Sequence, residues 1–124
     1  MGLGKSMTKG LILGIAAALS IVGAAKADPV DLSAYVDANG FIKVQKLTCA
    51  QLANTYQEDA NALMSWYSGW YNGLAHKNEM DYKKGRELEH LVIEYCKAHP
   101  GEKIIHAIAV NLKDMRAEGL MQEK

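Results

Sequence analysis

Glu87 and His90 stand three residues apart, the spacing that carboxylate-bridged metal sites place on one face of a helix. Such sites combine two Glu-x-x-His segments with two further carboxylates that project into a bundle. Only one copy occurs here, so Glu87, Glu89, His90 and Glu94 read as a solvated charged face. His76, His99 and His106 share no ligand spacing, and a zinc site would need more donors than they supply. Ser65 and Ser68 have no base at a fixed offset, and Glu79 and Asp81 fall in a polar stretch. No nucleophile elbow, phosphate-binding loop or dinucleotide fingerprint occurs. The sequence points to a protein that is not an enzyme and needs no cofactor and no metal.

Cys49 and Cys96 remain as groups capable of covalent chemistry. A reactive thiol needs a nearby base and an unpaired state; in an oxidising compartment two cysteines close a disulfide instead. The first 27 residues bear on that choice. Lys5 and Lys9 form a positive region, an apolar run follows from Gly10 to Ala24, and Ala25-Lys26-Ala27 presents small residues before Asp28. This is the pattern of a signal peptide cleaved between Ala27 and Asp28. The apolar run, about 15 residues, falls short of the ~20 that a membrane span needs. The expected mature chain is residues 28–124, exported to the periplasm of a bacterium and not held in the membrane. Export makes the Cys49–Cys96 disulfide the expectation over a catalytic thiol. Closing a loop of ~48 residues stabilises a fold by about 4 kcal/mol in the chain-entropy account.

Composition agrees with a small folded domain. The chain has 124 residues, 49% hydrophobic and 23% charged, with 14 basic and 14 acidic side chains. Three of the basic residues, Lys5, Lys9 and Lys26, belong to the leader, so the mature chain carries 11 basic against 14 acidic residues, a net −3. A nucleic-acid partner, which would need a basic face, is not expected.

The elements that carry these residues are helical from Thr48 onward. Thr48 and Gln51 have capping-box spacing, and Cys49, Leu52, Ala53 and Tyr56 follow at helical intervals. Ala60, Leu63, Met64, Tyr67, Trp70, Tyr71 and Leu74 extend such a stripe over four turns, widened by Trp66. Gly69 and Gly73 leave a bare strip beside it where another backbone could approach. Asn78 to Lys84 reads as a loop. Leu88, Leu91, Val92, Tyr95 and Cys96 mark a third helix ended by His99-Pro100-Gly101, and Ile104, Ile105, Ile108, Leu112 and Met115 mark a fourth. Residues 28–46 lack a helical stripe; the Asn39-Gly40 turn signal and Phe41-Ile42-Lys43-Val44 suit a small hairpin or an arm draped over the body. The expected fold is an all-α, single-domain bundle of about four helices over residues 47–124, tied by one disulfide.

Trp66, Tyr67, Trp70 and Tyr71 place four large rings within six residues. One helix cannot turn all four into one core, so part of the cluster is expected to serve as a client or dimer surface, aromatic residues being enriched at interface hot spots.

Three blocks resemble a known family. Leu47-Thr48-Cys49-Ala50-Gln51-Leu52 is similar to the threonine–cysteine helix start of the HdeA/HdeB periplasmic acid-stress chaperones. Met64 to Tyr71 resembles their Trp-x-x-Gly-aromatic segment. Val92-Ile93-Glu94-Tyr95-Cys96-Lys97-Ala98-His99-Pro100 resembles their second-cysteine motif, on the HdeB side. His99 departs from the asparagine often found before that proline, which would deprive the fourth helix of a good cap. The resemblance implies a small protein folded around a Cys49–Cys96 bridge, a homodimer at neutral pH. In acid it would bind unfolding periplasmic proteins as an ATP-independent holdase and prevent their aggregation. A periplasmic inhibitor or immunity protein that binds one toxin or hydrolase is the alternative from a different class.

Overall fold

Residues 28–120 are described by the structure, a computed structural model; the expected leader, residues 1–27, lies outside them. Among the described residues four α-helices follow one another: α1 (Cys49–Ala53), α2 (Gln57–Leu74), α3 (Tyr82–Ala98) and α4 (Ile104–Ala117). The chain is all-helical and closed by a Cys49–Cys96 disulfide.

Each helix boundary has a local cause. At α1 the Thr48 amide donates to Gln51 Oε1 at 2.8 Å, and the Thr48 hydroxyl accepts from the Gln51 amide at 3.4 Å. This reciprocal pair satisfies two of the donors that a helix start leaves open. The helix stops at Ala53, so Tyr56 becomes the N-cap of α2 and is exposed, not part of the apolar face of the first helix. Glu58 and Asp59 occupy the first turn of α2, where the helix dipole favours negative charge. Past its other end His76 adopts φ 55°, and the Lys77 amide reaches back to the Asn72 carbonyl at 2.9 Å. That left-handed position is one that glycine usually fills.

The segment from Asn78 to Lys84 is not all loop. Asp81 accepts a hydrogen bond from the Lys84 amide at 3.0 Å and starts α3 at Tyr82, inside the stretch expected to be irregular. His99 terminates α3, its amide donating to the carbonyls of Tyr95 and Cys96. It is not the cap of the fourth helix. That position belongs to Lys103, which makes no side-chain cap. The loop between α3 and α4 is instead stitched to the start of α1. The Cys49 amide donates to the Glu102 carbonyl at 2.6 Å, Ala50 to Pro100 at 3.0 Å, and Ile104 to Leu47 at 3.0 Å. Each bond occupies a backbone group that a helix terminus would otherwise leave unpaired.

The core forms around the bridge. Cys49 and Cys96 are fully buried, with Cα atoms 4.5 Å apart, among Leu47, Leu52, Val92, Ile104 and Ile108. From α2 the chain contributes Ala60, Leu63, Met64 and Tyr67, and from α4 also Ala107 and Met115. Asn111, the one buried polar side chain among the described residues, donates to the Ala107 carbonyl at 2.8 Å. These positions recur at three- and four-residue intervals, which is why the helices bury one face each.

Residues 28–46 form an arm without strand pairing. Its turns are 3-10, at Leu32–Tyr35 and Val44–Lys46, with a tight reversal at Asp37–Phe41 that needs Gly40 at φ 85°. The alternating residues Phe41 to Val44 do not act as a strand, because among the described residues no partner strand lies beside them: Ile42 and Val44 pack on the core, while Phe41 faces solvent.

Candidate functional site

The aromatic helix α2 divides its rings between two environments. Tyr67 is 1% exposed and belongs to the core. Its hydroxyl donates to the Val44 carbonyl of the arm, and burial, with a smaller contribution from Tyr71, raises the phenol well above its ordinary value. Tyr67 is therefore not a surface residue of the folded chain. Trp66 and Trp70 are 49% and 37% exposed, one turn apart, with near-parallel rings whose centroids are 6.2 Å apart. Trp70 meets Tyr71 edge-on at 5.1 Å, and Tyr71 is half-buried against the core.

Leu74, 62% exposed, continues the Trp66–Trp70 line toward the end of the helix. Gly69 and Gly73 lie between and beside these side chains. A Cβ at either position would meet nothing within 4 Å, so among the described residues no backbone approaches the bare strip. The second half of α2 thus presents an apolar, aromatic face that the helices of the described residues leave uncovered. A face of this composition suits an apolar partner.

The turn between α1 and α2, with the first turn of α2, carries the start of the arm. The Leu32 amide donates to Asp59 Oδ2 at 3.0 Å, the Val30 amide to the Asn54 carbonyl at 2.8 Å, and the Thr55 hydroxyl to the Val30 carbonyl at 2.7 Å. Leu32, Tyr35, Ile42 and Val44 pack on the core from outside. A shallow groove of about 290 Å³ runs where the arm meets Leu47 and Gln51.

The groups considered for chemistry take structural places. Glu87 pairs with Lys84 at 3.5 Å along the exposed side of α3. Glu94 pairs with Lys97 at 2.9 Å, a hydrogen bond that holds its carboxyl below the usual range. No group of three metal-ligating side chains occurs among the described residues. The cluster that sequence reading missed is centred on Glu102. His106 Nε2 lies 3.0 Å from its Oε1, and His99 Nδ1 lies 4.0 Å from its Oε2. Glu102 also raises the neighbouring Tyr95 phenol above its ordinary value. The offsets, three back and four forward from the glutamate, were readable in the sequence. The irregular loop between the two histidines hid that both would reach one carboxylate.

No helix of the described residues is long and apolar enough to cross a membrane. A family model described as the HdeA/HdeB family matches residues 10–106. No curated protein and no solved structure matches the chain.

Proposed function

We propose that this chain, which belongs to the HdeA/HdeB family, is an acid-activated, ATP-independent holdase of the periplasm. Membership makes it a non-enzymatic acid-stress chaperone in a family that is periplasmic and binds unfolded client proteins. The finer reading is ours. A leader of residues 1–27 is removed, and an arm (28–46) and a helical domain (47–124) remain. The chain sits on the HdeB side of the family, through Val92 to Pro100, and two copies pair at neutral pH.

The observation that carries this reading is an exposed Trp66–Trp70 face on a body closed by a buried disulfide. At neutrality the mature chain is net −3; with every carboxylate protonated, its 11 lysines and arginines and 4 histidines bring it to about +15. Self-repulsion of that size opposes a compact chain and any pairing of two copies. The bridge limits how far the chain opens, because residues 49–96 remain a closed loop. A loosened but tethered chain then offers its aromatic face, and Tyr67 from the core, to apolar segments of unfolding proteins. Charge keeps such complexes in solution, and neutralisation reverses every step without ATP.

The test is a sedimentation assay with the mature, oxidised protein and a client that aggregates in acid. Client is expected in the supernatant at about pH 2–3 and to gain nothing from the protein at pH 7. Tight one-to-one binding of a single protein at neutral pH, without acid protection, would replace the holdase reading with that of a specific inhibitor.

A further inference from the structure

We infer that the corner where α2 turns into α3 docks peripherally, at neutral pH, on a bilayer surface rich in anionic phospholipid. The inference goes beyond the holdase reading and does not rest on it.

Three large apolar side chains stand in solvent at this corner. Leu74 ends α2, Met80 lies in the turn and Tyr82 begins α3; they are 62%, 66% and 68% exposed. Exposed apolar residues scattered singly are ordinary, but three within nine residues of chain mark a contact site. The turn that carries them is open. Among the described residues no hydrogen bond engages the amides of Asn78, Glu79 and Met80, so these donors are free to meet an acceptor outside the chain.

Cations are interleaved with the apolar tips. Lys77, Lys83 and Arg86 are exposed, and among the described residues none of them has an ion pair. Lys84 is engaged by Glu87, and Asp81 is occupied as the cap of α3. Residues 74–86 carry four basic side chains against two acidic ones, a net +2, whereas the mature chain is net −3. The corner is therefore opposite in sign to the chain that bears it. Glu58 and Asp59, at the far end of α2, lie roughly 22 Å or more away along the helix. That exceeds the ~10 Å over which exposed charges are felt at 0.1 M salt.

The two properties together select the occupant. A phospholipid interface offers acyl chains to apolar tips and phosphates to cations at the same depth. Tyr82, with an apolar ring and a polar hydroxyl, suits that boundary. The stems of Lys77, Lys83 and Arg86 can lie along it while their charged ends reach the headgroups. A folded protein partner would call for a matching concavity, and the corner supplies none. The groove at the arm and the one lined by Tyr71, Lys103 and His106 include no residue of it. Docking of this kind needs no spanning helix. A periplasmic family also works between two phospholipid surfaces.

The test is flotation of the mature, oxidised protein with vesicles at pH 7 and about 0.1 M salt. Vesicles of phosphatidylglycerol and phosphatidylethanolamine in equal parts should carry the protein up several-fold more than phosphatidylcholine does. Salt at about 1 M, which shortens the reach of charge to ~3 Å, should release it. Lys77→Gln/Lys83→Gln/Arg86→Gln should bind about ten-fold less or weaker still, since each basic residue near an anionic surface strengthens binding about five-fold. Met80→Ser/Tyr82→Ser should bind several-fold less and keep the salt dependence. All five side chains are exposed, so both variants should unfold in urea with the parent; if one does not, Lys83→Gln or Met80→Ser alone takes its place. Absence of flotation, or equal binding to phosphatidylcholine, overturns the inference. Flotation lost in Trp66→Ala/Trp70→Ala but kept in both corner variants overturns it too, and moves the contact to the aromatic face. Corner-dependent binding to soluble polyglutamate without binding to vesicles overturns it in favour of an acidic protein partner.

Discussion

The Tyr67 hydroxyl donates to the carbonyl of Val44, joining the aromatic helix to the root of the arm. Tyr67 is the largest fully buried side chain among the described residues, and burial raises its phenol. A raised folded value means that the stability is complete below the unfolded value, near pH 10, and is lost only as pH climbs toward the folded one. Tyr67→Phe leaves the Val44 carbonyl without this donor. It should cost about 1–2 kcal/mol, equally at pH 7 and pH 4, in urea unfolding. A loss confined to acid would contradict the role assigned to this bond.

Asp31 has the opposite sign. Its bond with Ser33 holds its carboxyl below the ordinary value, so the turn at Leu32–Tyr35 is favoured above about pH 4 and loses that support as pH falls through the folded value. A titration of the Ser33 amide chemical shift should follow the Asp31 carboxyl, with a midpoint below that of a free aspartate. A midpoint above it would reverse the sign.

The bridge closes 47 residues of sequence separation in the centre of the core. Cys96→Ala should lower stability by about 2–5 kcal/mol at neutral pH. It should also blunt protection of clients in acid, because the chain opens too far. Calorimetry and the sedimentation assay read the two effects separately, and a variant with full stability and full protection would show the bridge to be incidental.

Trp66→Ala and Trp70→Ala remove half-exposed rings, so each should cost the fold less than the ~3–5 kcal/mol of a buried tryptophan. Client protection should fall well beyond that change in stability, most in the double variant. Unchanged protection at unchanged stability would clear the aromatic face of any part in binding. Gly69→Ala supplies the control on the same face. Its Cβ meets nothing within 4 Å, so in the isolated chain it should stabilise α2 by about 1 kcal/mol.

Much of this fold was legible because its signals are local. Cys49, Leu52, Leu63, Val92 and Ile108 fall on helical periods and are buried, and Thr48–Gln51 forms the capping box that its spacing announces. The misreadings arose where a distant contact decides. Asp81 starts α3 inside a polar run that looked irregular, since one cap outweighs composition. The arm has the residues of a strand without a partner strand, so its amides turn to Asp31, Asp37 and Asp59. The aromatic cluster revealed that its rings must divide: Tyr67 goes inward on the stripe of Ala60, Leu63 and Met64, and the Val44 carbonyl of the arm accepts its hydroxyl, a contact no local spacing announces. Gly69 and Gly73 suggested a close approach of another backbone, yet among the described residues nothing lies within 4 Å of a Cβ at either.

Acid, we propose, switches this chain into a form that holds clients. The most direct measurement is light scattering from an aggregating client mixed with the mature, oxidised protein, stepped from pH 7 to about pH 2. Suppression should be absent at neutrality and rise as the carboxylates protonate, roughly between pH 5 and 2. Equal protection at both ends of the titration, or none at either, would contradict it.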